Sequence, residues 1–185
     1  MRILGGTFKG RNLQTLVSDG CRPAMAVVRE AVFNMLAARG VELAGARVLD
    51  IFAGTGSLGF EALSRGAHFV RFIEANKSLA RRVADNARAL GLSPASFSAA
   101  PASALTFLSR PPSEPFHLAF VDPPYGQNLL QPVLMLLTKK LWLTPDALVA
   151  AEVERSLTPN DCPACLELSA DRLFGQTRIL LWHNR

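Results

Sequence analysis

Cysteines and long apolar runs are scarce in this chain of 185 residues. Three cysteines are too few, and too odd in number, for a disulfide framework, so we expect the protein to work in a reducing compartment. No apolar run approaches the ~20 residues needed to span a bilayer. Residues 1–6 lack the apolar core of a secretory signal. These absences predict a cytoplasmic protein with no membrane partner.

Potential metal ligands are also few. Cys162 and Cys165 have the spacing of a metal or redox pair, but Cys21 is the only other cysteine in the sequence. A zinc site would need more ligands than these. The three histidines follow no ligand spacing. We therefore predict no metal centre.

The chain has, by contrast, a large apolar fraction and an uneven distribution of positive charge. Hydrophobic residues make up 49% of it and charged residues 19%, which is enough apolar material for a folded core. The net charge is +5, and residues 1–29 alone carry +4. The cations of that segment, opposed by Asp19, are Arg2, Lys9, Arg11, Arg22 and Arg29. A basic leading segment on a nearly neutral body predicts a contact with a polyanion or, as the alternative, a solvated basic tail.

Apolar residues alternate between strand-like and helix-like periods along most of the chain. Strands are expected at 47–52, 68–74, 96–99, 116–121 and 147–153, and helices at 56–65, 76–90, 102–109 and 129–140. Strands separated by helices predict βαβ units and a doubly wound, mainly parallel α/β sheet. Apolar stretches at 165–168 and 177–182 predict a closing antiparallel hairpin.

The segment in front of this core has a different pattern. Glycines and short apolar pieces in residues 1–20 predict a hairpin or two short strands, and the apolar spacing of 25–38 predicts a helix that ends near Gly40. We therefore divide the chain into an N-terminal extension, residues 1–44, and a core domain, residues 45–185.

A glycine motif follows the first predicted strand of the core. Gly54, Gly56 and Gly59 form a Gly-x-Gly-x-x-Gly pattern between that strand and a helix, as a tight turn close to a ligand requires. Glu74 ends the next strand, twenty residues after Gly54, where a carboxylate can accept hydrogen bonds from ribose hydroxyls. The motif predicts a cofactor that contains a nucleoside.

Asp50 distinguishes between two such cofactors. It lies at the strand end just ahead of the glycines, where a carboxylate would repel the pyrophosphate of NAD. S-adenosylmethionine carries a sulfonium and an ammonium group and has no phosphate. Asp50 therefore favours S-adenosylmethionine, although a carboxylate there can also be an ordinary turn residue.

A second motif, Asp122-Pro123-Pro124-Tyr125, ends the strand at 116–121. The carboxyl ends of parallel strands line one crevice, so the motif should face the glycine turn. The two prolines remove N–H donors, which leaves the Asp122 carboxylate and the Pro123 carbonyl as acceptors beside an aromatic ring. Two acceptors can hold the hydrogens of an amino group on a heteroaromatic base, on which Tyr125 can stack.

These residues resemble a known family. Asp50, the glycine turn, Glu74 and Asp122-Pro123-Pro124-Tyr125 look like class I methyltransferases that modify exocyclic amines. The match narrows to the bacterial small-subunit (16S) ribosomal RNA guanine-N2 methyltransferases when further segments are added, namely Gly5-Gly6, Lys9-Gly10-Arg11, Arg22-Pro23, Val28-Arg29-Glu30-Ala31-Val32-Phe33-Asn34 and Phe60-Glu61-Ala62.

The resemblance implies a seven-stranded Rossmann-like sheet, S-adenosylmethionine as cofactor, and N2-methylguanine in assembling, protein-loaded small subunits as product. It implies that the cofactor is bound by Asp50, Phe52, Ala53, Gly54, Thr55, Gly56, Glu74, Ala75 and Ser103. Ser103 stands where the family often has Asp or Asn for the adenine amine. The implied catalytic residues are Asp122, Pro123 and Tyr125, and the implied RNA contacts are Arg2, Lys9, Arg11, Arg22 and Arg29. The chain departs from the family at 24–27, where Ala24-Met25-Ala26-Val27 replaces a stretch with a hydroxyl, a carboxylate and a guanidinium.

Other functions stay open at this point. A DNA adenine or cytosine methyltransferase can share the second motif, but it usually needs a sizeable domain to read the major groove. A protein-glutamine methyltransferase typically has Asn where this chain has Asp122. An NAD-dependent oxidoreductase and an RNA-binding relic without activity are the alternatives from other classes.

Overall fold

The computed structural model describes residues 1–15 and 23–185, with the side chains of 23–25 excepted. Seven strands form one sheet in the order β3-β2-β1-β4-β5-β7-β6. The strands are β1 (Arg47–Ile51), β2 (Phe69–Glu74), β3 (Phe97–Pro101), β4 (Phe116–Val121), β5 (Leu143–Glu154), β6 (Leu166–Phe174) and β7 (Thr177–Asn184). Strands β1 to β5 are parallel, whereas β7 runs antiparallel to both β5 and β6. The prediction of a doubly wound, mainly parallel seven-stranded sheet with a closing hairpin is confirmed.

In the described part of the chain, five α-helices cover the sheet. They are α1 (Pro23–Ala37), α2 (Ser57–Ser64), α3 (Lys77–Leu90), α4 (Ala104–Leu108) and α5 (Leu130–Lys139), and one 3₁₀ turn, Pro94–Ser96, precedes β3. Helix α3 shows how local sequence sets the bounds. The Asn76 side chain accepts hydrogen bonds from the amides of Ser78 (2.9 Å) and Leu79 (3.3 Å), which caps the first turn. Gly91 ends the helix with φ of 75°.

The core has one layer on each face of the sheet. Helices α1, α2 and α3 pack on one face, where the rings of Phe33 and Phe120 lie 5.6 Å apart. Helices α4 and α5 pack on the other face around Leu134 and Trp142. Trp142 and Trp182 are 4% and 1% exposed, so both indoles belong to the core. Within residues 1–15 and 23–185 no helix is long and apolar enough to cross a membrane.

The N-terminal segment, residues 1–15, lies against α2 and α3. Its hairpin consists of a single antiparallel bridge between Arg2 and Asn12, rather than two regular strands. Ile3 donates its amide to the carbonyl of Arg11 (3.0 Å). Ile3 and Leu13 are buried in the same apolar cluster as residues of α1 and β1, so packing is continuous across the predicted boundary at residue 44. The rest of the expected hairpin, residues 16–20, lies outside the described residues.

The last strands are longer than predicted. Strand β6 covers nine residues, where the apolar pattern predicted 165–168. It is an edge strand that pairs with β7 alone among the described strands. Three of the four residues at 169–172 are polar, so the apolar pattern stops at Leu168 although the strand continues. Strand β5 begins at Leu143 rather than 147, because its first residues pair with β4 through a register shift around Pro145.

Candidate active site

The glycine turn between β1 and α2 has the conformation that the motif predicted. Phe52, Gly54 and Gly56 have φ of 63°, 55° and 85°, in the left-handed region. A Cβ on Gly56 would lie 2.7 Å from the Phe60 ring, so the position requires glycine. At Gly54 no described heavy atom lies within 4 Å of the place where a Cβ would stand. Space for a ligand therefore opens beside the backbone of Gly54.

Two carboxylates fix this turn. Asp50 is 2% exposed and accepts a hydrogen bond from the Gly59 amide (2.9 Å) inside α2. Glu74, at the end of β2, accepts from the amides of Gly54 (2.9 Å) and Asn76 (2.7 Å). Each Glu74 oxygen can accept a second hydrogen bond, so the carboxylate can hold the turn and still receive a hydroxyl group.

The remaining predicted cofactor residues lie at the same edge of the sheet. Ala53 and Thr55 are buried in the turn, and Phe52 is half-buried. Ala75 follows β2 and is exposed. Ser103 follows β3 and precedes the first turn of α4 without a side-chain hydrogen bond to it. The carboxyl ends of β1, β2 and β3 therefore bring these residues to one crevice.

The Asp122 motif lies directly beside the glycine turn. Strands β1 and β4 are neighbours, with Ile51 opposite Val121, and the Asp122 amide donates to the Ile51 carbonyl (3.2 Å). Pro123 is buried. Tyr125 is 50% exposed, and its hydroxyl lies 3.1 Å from the Thr177 hydroxyl on β7. The ring is thus held at the rim of the crevice, where an incoming base could reach it.

Three acidic groups at this edge have pKa values above their ordinary range. Burial raises the pKa of Asp50 to about 7; the hydrogen bond from Gly59 opposes the shift and the charge of Glu74 adds to it. Burial, with the charges of Glu152 and Asp50, raises the pKa of Asp122 well above its usual range. Burial also raises the pKa of Glu152, against the charge of Arg29. The crevice therefore favours a cation, which would stabilise the ionised form of all these acids.

The predicted RNA contacts fall into two groups. Arg2, Lys9 and Arg11 are exposed on the N-terminal segment. Arg29 is 5% exposed and donates to the Arg2 carbonyl (2.8 Å), so it lies under that segment instead of on its surface. Arg22 lies outside the described residues.

Sequence reasoning missed the side chains that dock the N-terminal segment. Glu61 is fully buried and accepts hydrogen bonds from the amides of Leu4 and Gly5 (both 2.8 Å) and from Arg65 (2.9 Å). Ser64 accepts from the Phe8 amide (2.9 Å). Polar residues at buried helix positions were the available signal, but their partners are more than fifty residues away in the chain.

Comparisons with known proteins agree with this architecture. A family model described as "Conserved hypothetical protein 95" matches residues 1–183. A ribosomal RNA small subunit methyltransferase D of Haemophilus influenzae is 39% identical over 185 residues, covering 100% of this chain and 94% of that protein. The protein of the same name from Escherichia coli is 35% identical, covering 98% and 89%.

Solved structures give the same result. A putative methyltransferase from Escherichia coli superimposes with a TM-score of 0.87 at 34% identity, covering 100% of this chain and 98% of that one. The fold, the crevice and these matches along nearly the whole length place the chain in the "Conserved hypothetical protein 95" family, together with the small-subunit ribosomal RNA methyltransferases D.

Proposed function

We propose that this protein transfers a methyl group from S-adenosylmethionine to the exocyclic N2 amine of a guanine in 16S ribosomal RNA. The observation that carries the proposal is the contact between the two motifs. The hydrogen bond from the Asp122 amide to the Ile51 carbonyl holds an amine-binding motif against a cofactor-type glycine turn. The names of the relatives support a methyl transfer to small-subunit RNA.

The residues around the turn fit S-adenosylmethionine. That cofactor supplies a methyl group on a positively charged sulfur and also carries an ammonium group. The buried Asp50 can become a carboxylate beside a bound cation, whereas the pyrophosphate of NAD would disfavour its ionisation. Glu74 has acceptor capacity left for ribose hydroxyls, and the open space beside Gly54 admits a ligand against the backbone. The same features argue against NAD.

The chain's own contribution to the reaction is positioning. In its ionised form Asp122 accepts one hydrogen of the target amine, and the Pro123 carbonyl accepts the other. This grip favours the tetrahedral nitrogen needed for in-line attack on the methyl group. As the new nitrogen–carbon bond forms, the methyl–sulfur bond would break to leave a neutral thioether, and the amine would lose one proton to the Asp122 carboxylate that holds it. Tyr125 stacks on the base from the rim. A base within a paired region would first have to leave its helix.

The exposed cations of the N-terminal segment contact RNA phosphates in this proposal. The segment is anchored on α2 and α3, so Arg2, Lys9 and Arg11 are presented at a fixed position relative to the crevice. A compact chain with this small basic surface can take its specificity from a preformed RNA and protein surface, as in a partly assembled small subunit.

The chemistry is tested with labelled S-adenosylmethionine and small subunits from a strain that lacks the gene. Nucleoside mass spectrometry should find N2-methylguanosine, and Asp122→Ala should abolish it. Genomic DNA and free 16S ribosomal RNA serve as alternative acceptors in parallel. Label in DNA alone, or full turnover by Asp122→Ala, would overturn the proposal.

The RNA contact is tested separately by the salt dependence of binding. The logarithm of the RNA-binding constant should fall linearly as the logarithm of the salt concentration rises. If Lys9 contacts one phosphate, Lys9→Gln should make this negative slope shallower by roughly 0.7–0.9. The matched control is Arg172→Gln, an exposed cation on the edge strand β6, which should leave the slope unchanged. Equal slopes for the Lys9 variant and the wild type would remove Lys9 from the RNA surface.

A further inference from the structure

Glu152 lies beside the proposed amine-binding residue and has no role so far. Strands β4 and β5 pair with Val121 opposite Ala151, so the next residues along each strand, Asp122 and Glu152, are lateral neighbours. Side chains two residues apart in a strand point to the same face of the sheet. Asp122 and Glu152 therefore lie on the same face as Phe120 and Ala150, which pack in the apolar layer under α1. The charge of Glu152 acts on both Asp122 and the Tyr125 hydroxyl. These relations place Glu152 beside Asp122, with its charge acting on the Tyr125 hydroxyl as well.

Arg29 favours the charged form of Glu152. Its guanidinium is buried on α1, 3.9 Å from Glu61, and it donates to the Arg2 carbonyl. Its positive charge opposes the rise that burial causes in the pKa of Glu152. Arg29 thus partly offsets the effect of burial on the Glu152 carboxyl, which accepts hydrogen bonds in its ionised form.

The bases with exocyclic amines differ in the ring atom next to the amine. In guanine the N2 amine is flanked by N1–H, a donor. In adenine and cytosine the ring nitrogen beside the amine is an acceptor. A carboxylate placed next to the amine-binding residue therefore accepts a hydrogen bond from guanine and faces a lone pair in the other two bases.

We propose that Glu152 is a specificity-determining residue that accepts the N1–H of the target guanine, beside the N2 amine held by Asp122 and Pro123. This inference rests on the proposed function and adds to it the reason for choosing guanine. Arg29 acts on the same residue, because its guanidinium donates to the Arg2 carbonyl and its positive charge lowers the pKa of Glu152 against the effect of burial.

The test compares two RNAs whose target bases differ on one edge. 2-Aminopurine has a bare N1 and lacks the C6 carbonyl of guanine, so the informative quantity is the change that Glu152→Gln makes in the preference between the two. Once the target guanine has been mapped, it is replaced by 2-aminopurine, which keeps the 2-amino group but has an acceptor at N1. The wild type should prefer guanine by at least about 10-fold in kcat/KM, because a hydrogen bond to a charged group is lost and a lone pair faces the carboxylate. Glu152→Gln should reduce the preference to within about threefold, because an amide can either accept from N1–H or donate to a bare N1.

Glu154→Gln is the matched control two residues along the same strand. Glu154 accepts from the Gly126 amide (3.0 Å), so its substitution should leave the preference between the two bases at the wild-type value. Competition binding of the two RNAs, followed by 2-aminopurine fluorescence, measures the preference even in a variant with slow turnover. If Glu152 has only a structural role, its substitution should weaken the binding of both RNAs by the same factor. If Glu152 reads the base, the substitution should change the ratio of the two affinities.

The outcomes separate the two proposals. If the wild type methylates guanine N2 and Glu152→Gln keeps the wild-type preference in both turnover and binding, Glu152 does not read the base and the proposed function stands. If the wild type methylates no guanine N2 in RNA, the proposed function fails and the role of Glu152 fails with it.

Discussion

Replacing Glu61 with Gln should destabilise the protein strongly, although the two side chains have the same shape. The Glu61 carboxylate is fully buried and serves the amides of Leu4 and Gly5 together with the Arg65 guanidinium. An amide group would turn an N–H towards one of these donors. It would also leave the buried Arg29 without the charge that now lies 3.9 Å away.

The loss of unfolding free energy in Glu61→Gln depends on whether each group that now contacts Glu61 can find another partner. Arg65 is 28% exposed and can turn to water, so its loss costs little. One backbone amide left without an acceptor costs about 1–3 kcal/mol. Breaking a buried ion pair costs about 3–5 kcal/mol, but Arg29 keeps the Arg2 carbonyl and the charge of Glu152, so the lower end applies. Because these effects overlap, we expect a total loss of about 3–4 kcal/mol in the free energy of unfolding.

Urea unfolding measures this loss, and native-state hydrogen exchange locates it. The amides of Leu4 and Gly5 should exchange faster in the variant than global unfolding alone would explain. Glu30→Gln, an exposed carboxylate on α1, is the control and should stay within about 0.5 kcal/mol of the wild type. A loss below 1 kcal/mol, with Leu4 and Gly5 still protected, would show that Glu61 does not anchor the N-terminal segment.

Three further predictions concern the crevice. Tyr125→Phe loses only the hydroxyl contact with Thr177 and should raise KM for RNA a few-fold at most. Tyr125→Ala also loses the stacking ring and should lower kcat/KM by about 5- to 150-fold. Equal effects of the two substitutions would refute the stacking role. Gly59→Ala would place a Cβ 2.2 Å from the Phe72 ring and should cost about 1–3 kcal/mol in urea unfolding, and an unchanged midpoint would contradict the tight helix–strand contact. The pKa of Asp50 is raised from 3.8 to about 7, so the folded state holds its proton more tightly and the free energy of unfolding should fall as pH rises through this interval. Asp50→Asn should flatten that decline between pH 5 and 8, and an unchanged slope would contradict the shift.

The sequence was sufficient where a local pattern determines a local structure. Asn76 and Gly91 mark the ends of α3 because capping depends on neighbours two to four residues away. The glycine turn and the Asp122 motif came together because parallel strands end at a common edge, whichever residues fill the sheet. Both kinds of prediction need only short-range geometry and a correct fold class.

The sequence was insufficient where a side chain's partner lies far away in the chain. The role of Glu61 in docking cannot be predicted from its own helix, since two of its hydrogen-bond donors come from the N-terminal segment. Arg29 was expected to contact phosphate, but the structure places its guanidinium against Glu61 and the Arg2 carbonyl. Glu152 drew no attention because its position beside Asp122 depends on the register of β4 and β5.

The protonation of the buried acids leads to one last prediction, about the proposed cofactor. With a pKa of about 7, Asp50 is roughly nine-tenths protonated at pH 6. A cation bound beside it favours the carboxylate, so binding of S-adenosylmethionine at pH 6 should release protons to the buffer. At pH 8.5 Asp50 is already ionised, so its contribution to proton release should nearly vanish. Any protons still released on binding would come from Asp122.

Calorimetry in buffers of different ionisation enthalpy counts these protons. S-adenosylhomocysteine has a neutral sulfur but keeps the ammonium group, so the difference between the two ligands isolates the effect of the sulfonium charge. Asp50→Asn should release fewer protons than the wild type with either ligand. Equal proton release by both ligands would show that the sulfonium is not sensed by the acids of the crevice. No release at pH 6 would show that the charge of Asp50 is the same in the free and bound protein, and would refute the proposed effect of the bound cation on this carboxyl.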